Sequence, residues 1–374
     1  MKGLFVIFSV AVLLSSCGRQ TAGPQDGGDT VSFKYAQRLT VVRYDGYAVA
    51  TLQNPWKEGK VLHRYVMVPR NAEMPQDLPD GALVRTPLQR SVIFTTVHCA
   101  LLQMLGVQEQ IAGVADLKYI KIPYIHEQVE KGRISDCGDG MSPVIEKIID
   151  QHPDAILLSP FENSGGYGKV EEIDIPLIEC AEYMEPTPLA RAEWMRFYGM
   201  LFGCEQRADS LFAVVDSSYC ALRDRWQSSR GEPRSVLLDK VTGSVWYVPG
   251  GKSTIGQMIA DAGGRYPWAS DEHSGSVSLP FETVLERAGE SDVWLFRYSS
   301  DHPITYAELL AEHHGYDQFR AFRQHNVYGC NVEQSLFYEE SPFRPDWLLT
   351  DFIQMLHPDI LNLPPLRYYK RLEQ

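Results

Sequence analysis

Residues with chemical capability gather at a few places in this chain. In SVIFTTVHCALLQMLGVQEQIAGV, residues 91–114, the hydroxyls of Thr95 and Thr96 and the imidazole of His98 follow a short apolar run. Asp116 to Tyr119 follow the next one. Trp246-Tyr247 and Arg297-Tyr298 come after two later runs, residues 235–238 and 293–296. Tyrosine and tryptophan offer flat apolar area with one polar tip, which suits a macrocycle or a catecholate. An arginine suits an anionic chelate through charge-assisted hydrogen bonds. Thr95, Thr96, His98, Tyr119, Trp246, Tyr247, Arg297 and Tyr298 are therefore candidate ligand contacts, with Lys118 and Lys252 as secondary ones.

This chemistry is recognition. No nucleophile elbow or paired-carboxylate pattern stands out, so no catalytic residue is assigned. GGKST, residues 250–254, invites a phosphate-loop reading, but that motif needs a glycine where Trp246 stands. The ten histidines are scattered. His313-His314 and His325 come nearest to a cluster and lack carboxylates or thiolates at ligand spacing, so no metal site and no resident cofactor are expected.

Elements must hold these side chains. Residues 91–114 read as strand, polar turn, helix and strand, the helix stopping at Gly106, which is a compact βαβ unit of a parallel sheet. In open parallel sheets ligands sit beyond the carboxyl ends of the strands, where Thr95 and Tyr119 fall. Before this unit, LTVVRY, YAVATLQ and HRYVMVP read as a small β-meander with a hairpin turn at Asp45-Gly46, and residues 74–87 as a proline-rich loop. After it, a helix is expected to start near Ser142-Pro143, with Ser142 as its N-cap, ahead of the strand Ala155 to Leu158. Phe161 to Gly168 reads as a glycine-rich loop. Residues 187–226 read as helical almost throughout, with Leu211, Val215, Tyr219 and Leu222 on one stripe and Gly203 as a candidate break. Residues 240–254 read as a turn-rich segment, and the second half repeats the strand-helix outline of the first.

The N-terminus is the most specific signal. Lys2, the apolar stretch Leu4 to Leu14 and then Leu14-Ser15-Ser16-Cys17 read as a cleaved signal of residues 1–16. The stretch is too short to span about 30 Å of hydrocarbon. LSSC matches the bacterial lipoprotein box, which implies lipidation at Cys17, a tether over 17–32 and a place on the cell envelope, facing the periplasm or the exterior. With a net charge of −13 the chain lacks the basic face a nucleic-acid partner requires. The six further cysteines form no C-x-x-C and read mostly as small core residues.

MSPVIEKIIDQHPDAILLS and SLPFETVLERAGESDVWLFR share one pattern: serine and proline, a glutamate in the first helical turn, an apolar ridge, then a strand. The shared acids are Glu146 and Glu282. On pattern alone each could simply favour its helix dipole. Taken with the lipoprotein box, S-V-I-F-T-T-V-H…L-x-x-L-G…I-A-G-V, E-K-I-I-x-x-H-P-D-A-I-L-L and G-x-M-I-A-D-A-G-G, the chain resembles the substrate-binding lipoproteins of ABC importers for ferric siderophores, haem and vitamin B12. The resemblance runs from about Arg90 to the C-terminus.

That resemblance implies an α/β fold of two Rossmann-like lobes joined by a long connecting helix, with the β-rich segment as an N-terminal extension. The divisions are 33–86 for the extension, 87–186 for the first lobe, 187–230 for the connector and 231–374 for the second lobe and closing helix. It implies a ligand in the interlobe cleft, an iron chelate, haem or cobalamin. It also implies docking of Glu146 and Glu282 onto an ABC permease dimer with its ATPase subunits. Any iron or cobalt belongs to the cargo. Two other readings stand beside it: a divalent-metal receptor of the same architecture, and an exported hydrolase or chelate reductase on a similar fold.

Overall fold

The computed structural model describes residues 27–162, 166–227, 231–360 and 362–373. The signal, Cys17 and most of the tether lie outside the described residues. No described helix is long and apolar enough to cross a membrane.

The extension is a five-stranded sheet in the order β1 Asp29–Val31, β2 Leu39–Tyr44, β3 Tyr47–Gln53, β4 Val61–Pro69, β5 Ala82–Thr86. Asp45-Gly46 makes the two-residue turn between β2 and β3, with Gly46 at φ +81°. The proline-rich segment is more than a loop, because Ala82–Thr86 runs parallel to β4 as the fifth strand.

The first lobe is a wholly parallel sheet, built from β6 Ser91–Ile93, β7 Ile111–Val114, β8 Ser135–Asp136, β11 Ala155–Leu158 and β12 Leu177–Glu179 in the order β12-β11-β6-β7-β8. A small hairpin, β9 Gly138–Asp139 with β10 Ser142–Pro143, lies between β8 and β11. The inner strands β6, β7 and β11 are buried on both faces, which is why β7 and β11 read as unbroken apolar runs. Ile93, Val114, Leu157 and Ile178 face the main core, whereas Val92, Ile156 and Leu158 face a second cluster with Ile148 and Val170. Helices α1 Thr96–Met104, α2 Pro123–Glu130 and α3 Ile145–Asp150 connect the strands. Ser142-Pro143 is a strand of the hairpin, so α3 begins later than the sequence suggests, with Val144 before its first turn.

The connector is three helices: α4 Pro188–Glu193, α5 Met195–Phe202 and α6 Glu205–Trp226. Gly203 ends α5 at φ +69°, the left-handed conformation that glycine adopts without strain. The 22 residues of α6 extend for about 33 Å. The extension clasps this spine by its backbone. Glu193, fully buried, accepts from the amides of Lys34, Tyr35 and Ala36 at 2.7, 2.7 and 2.9 Å. Glu185 does the same for Gln37 and Arg38.

The second lobe has β13 Val236–Leu238, β17 Val293–Tyr298 and β18 Val327–Asn331 in parallel, with β19 Lys370–Arg371 antiparallel at one edge. Residues 240–254 are more ordered than their turn residues suggest. β14 Val241–Thr242 and β15 Val245–Pro249 pair with β16 Ser276–Leu279 as a separate antiparallel sheet. The helices are α7 Thr254–Asp261, α8 Phe281–Ala288, α9 Tyr306–Glu312, α10 Arg320–Arg323, α11 Phe337–Glu340 and α12 Pro345–Leu356. One continuous core joins both lobes, the spine and the inner face of the extension. The architecture is the two-lobed α/β one, and the six cysteines among the described residues are free thiols, four of them buried.

Candidate functional site

The first lobe gathers polar and aromatic groups beyond the carboxyl ends of β6, β7 and β11. A cavity of about 570 Å³ opens there, lined by Phe94 and Thr95 after β6, Asp116 after β7, and Ser159 and Phe161 after β11. Met141 and Tyr167 complete the wall, and Met141 is 79% exposed. The Tyr167 hydroxyl donates to Glu179 at 2.7 Å, and burial together with that carboxylate raises its pKa. Glu179 also meets His63 of the extension at 3.1 Å, and its amide donates to the Tyr65 hydroxyl. The cavity wall is thus tied to the β-rich sheet behind it. Thr95 is the candidate contact that lines this cavity; the aromatics of the glycine-rich loop were not singled out by the sequence.

A second cavity, about 200 Å³, lies between the lobes and the spine. Val97 of α1, Arg191 of α4, Thr254 and Ile255 at the start of α7, Arg297 at the end of β17 and Tyr338 of α11 line it. Arg297 is held by Asp239, with both carboxylate oxygens 2.9–3.1 Å from its guanidinium nitrogens. Burial opposes its charge, but Asp239 overcomes that and raises its pKa. Arg191 differs: its Nε is buried without a hydrogen-bond partner among the described residues. Burial lowers its pKa, against the pull of Glu182. Nothing in the helical stretch 187–226 distinguished Arg191, since its role arises from where α4 meets the cleft.

Between the two cavities α11 closes on the first lobe. Glu339, 2% exposed, accepts from the Thr96 hydroxyl at 3.1 Å and from the Lys121 amide at 3.3 Å. Burial raises its carboxyl pKa above the ordinary value. Lys121 also pairs with Glu333 through its ammonium, and Phe343 packs edge-on to His98 and Tyr198. Thr96 is therefore at the cleft, engaged by the opposite lobe.

Other candidates are placed elsewhere. His98 is 1% exposed and points into the first lobe's core, so it offers nothing to a ligand in the cleft. Its Nδ1 meets the Thr95 hydroxyl, and its Nε2 lies 3.0 Å from the Tyr198 hydroxyl and 3.5 Å from Glu182. Burial disfavours the imidazolium, yet Cys180 and Glu182 outweigh it and push the pKa up to about 10. Burial likewise acts against the Glu182 carboxylate, which His98 nonetheless holds at about 2. Trp246 is fully buried among Phe281, Trp294, Tyr316 and Phe319, donating to the Leu238 carbonyl at 2.9 Å. The reason is strand alternation in β15: Trp246 turns inward and its neighbour Tyr247, 45% exposed, turns out. Tyr119 is exposed with the Lys118 ammonium over its ring, and Tyr298 receives the Ile304 amide beside a cavity on the far side of β18. Lys118 and Lys252 pair with Asp139 and Glu272 at the surface.

Glu146 and Glu282 each occupy the first turn of a helix, α3 and α8, and both are exposed. Helix α3 follows β10 of the small hairpin, and α8 follows β16 of the separate antiparallel sheet.

Comparison with known proteins agrees with this geometry. An uncharacterised lipoprotein of Methanocaldococcus jannaschii is 24% identical, over 88% of this chain and 83% of its own length. A periplasmic haem-binding protein from Pseudomonas aeruginosa superposes with a TM-score of 0.59 at 15% identity, over 77% of this chain and 99% of that one. A structure described as an ABC-type Fe3+-hydroxamate transport system, from Saccharomonospora viridis, gives 0.55 at 20% identity, over 72% and 93%. These likenesses are of fold. The profile of the periplasmic binding proteins matches residues 92–333, from the first strand of the first lobe to the cleft-facing segment of the second, and the chain belongs to that family.

Proposed function

We propose that this protein is a membrane-anchored receptor that captures an iron chelate, haem or a corrinoid between its lobes and delivers it to an ABC permease. The observation that carries the reading is the cavity of about 570 Å³ at the carboxyl ends of the first lobe's strands, lined by first-lobe residues and walled by Phe94, Met141, Phe161 and Tyr167. Its size suits a small organic ligand, and flat aromatic walls suit a macrocycle or an aryl chelate. Arg191, whose Nε has no partner among the described residues, supplies a positive charge to the smaller cavity, which favours a ligand bearing carboxylates or phenolates. The names of the structural neighbours, haem-binding and Fe3+-hydroxamate transport, point the same way. Lipidation at Cys17 would tether the receptor to the envelope, as the lipoprotein name of the Methanocaldococcus relative suggests.

The receptor's task is binding without turnover. A divalent-metal receptor would need several His, Asp or Glu side chains converging on the cleft, and the one three-donor group found among the described residues is buried in the first lobe instead. Titration of the purified full chain with haemin, cobinamide and several ferric siderophores, read by tryptophan fluorescence, tests the reading. Saturable quenching at submicromolar concentration by one of them is expected. Failure of every one to saturate would remove the chelate-receptor assignment.

A further inference from the structure

We infer that His98, Cys180 and Glu182, with the Tyr198 hydroxyl beside them, form a structural site for a divalent cation of the zinc class in the core of the first lobe. One ligand atom from each of the three residues falls within 4.8 Å of the others, and all three side chains are buried. The donors are an imidazole nitrogen, a thiol sulfur and a carboxylate oxygen, a set that suits zinc and its transition-metal neighbours better than magnesium or calcium. A phenolic oxygen lies 3.0 Å from the imidazole Nε2 and 2.9 Å from the carboxylate, close enough to serve as a fourth ligand or to orient the others.

The surroundings resemble those of a built metal site. Metal-ligating histidines usually engage their outer nitrogen in a hydrogen bond, which fixes the tautomer and aims the inner nitrogen at the cation. His98 does this: Nδ1 meets the Thr95 hydroxyl, leaving Nε2 toward the cluster. Glu182 accepts from Tyr198 on one oxygen and presents the other to His98. A thiolate and a carboxylate would neutralise a divalent cation, so the filled site would carry no net charge into the core. The thiol proton and any imidazole proton leave to solvent as the cation enters. Arg191 also acts on Glu182 by its charge, and it lines the smaller cavity.

The position also excludes a cargo role. None of the three residues lines a cavity at the cleft, and their burial prevents exchange during transport. A cation here would tie α1, the segment after β12 and the spine helix α5 together beneath the cleft, fixing Thr95 from below. The site does not depend on what the cleft carries.

The probe is Co2+, with Zn2+ as competitor, on the full chain refolded in detergent after unfolding in chelator. One equivalent of Co2+ with a near-ultraviolet thiolate-to-cobalt absorption is expected, displaced by Zn2+ and absent in Cys180→Ser. His98→Gln should keep the absorption and weaken binding by about 10- to 100-fold. No uptake, or an absorption that survives Cys180→Ser, would overturn the inference and leave the cluster a plain buried ion pair. Should either variant fail to fold, alkylation of the wild-type chain decides. In partial denaturant Zn2+ should slow labelling of Cys180 at least tenfold relative to Cys99, and equal rates would overturn it.

Discussion

At the residue scale the side chains that count are those whose burial and partners disagree with their ordinary chemistry. Asp351, fully buried on α12, accepts from the amides of Arg367, Tyr368 and Tyr369 and so anchors the C-terminal segment. Those three donors favour the carboxylate, but burial outweighs them and pushes the pKa up to about 6. A carboxyl whose folded pKa exceeds its unfolded value near 4 stabilises the fold most at low pH, and loses that contribution as pH rises through 6. A shift of this size corresponds to roughly 2–3 kcal/mol at most. Denaturant melts of wild type and Asp351→Asn between pH 4 and 7 should therefore separate as pH rises, the wild type losing stability relative to the variant, because the neutral amide lacks this titration. Parallel profiles would show that Asp351 is ionised throughout. The same scale explains why His98 and Trp246 were misread as ligand contacts. Both follow apolar runs in sequence, but three residues of helix in one case and one residue of strand in the other turn them inward.

At the element scale the connector is the decisive piece. Its helices were legible from a sustained apolar stripe, and Gly203 from its ability to end a helix. What the stripe could not reveal is that the β-rich extension closes over it, with Glu193 and Glu185 capping five consecutive amides of residues 34–38. Those contacts span more than a hundred residues of sequence, and carboxylates in a helical run give no hint of such partners. Gly203 sits against Pro87, just after the last strand of the extension. A Cβ there would approach Pro87 Cβ to 2.8 Å, and an L-residue at φ +69° carries its own penalty of about 1–2 kcal/mol. Gly203→Ala is expected to lower stability by roughly 1–3 kcal/mol in urea melts while leaving ligand affinity intact. An unchanged midpoint would mean that the α5–α6 joint relaxes freely and does not fix the spine.

At the scale of the molecule, two sheets present their carboxyl ends toward a shared cleft, which α11 partly closes through Glu339, Thr96 and Lys121. On the proposed reading, the exposed acids of α3 and α8 are the surface offered to the permease. Charges of this kind steer and orient a partner more than they add affinity. Glu146→Lys combined with Glu282→Lys should therefore abolish uptake of the labelled ligand by cells while leaving its binding to the purified receptor within about twofold. Uptake at the wild-type rate would show that docking uses another surface.

The sequence by itself determined the parallel sheets, the helical connector, the pairing of the two lobes and the family, because strand burial, helix periodicity and repeated local order are written in short windows. The tertiary structure alone decided which side chains reach the cleft. Arg191, Tyr167 and Glu339 were invisible because each acquires its role from an element distant in sequence. His98 and Cys180, 82 positions apart and belonging to different elements, meet only when α1 packs against the segment after β12. Local pattern fixes which way a backbone runs, and only packing fixes what each side chain meets.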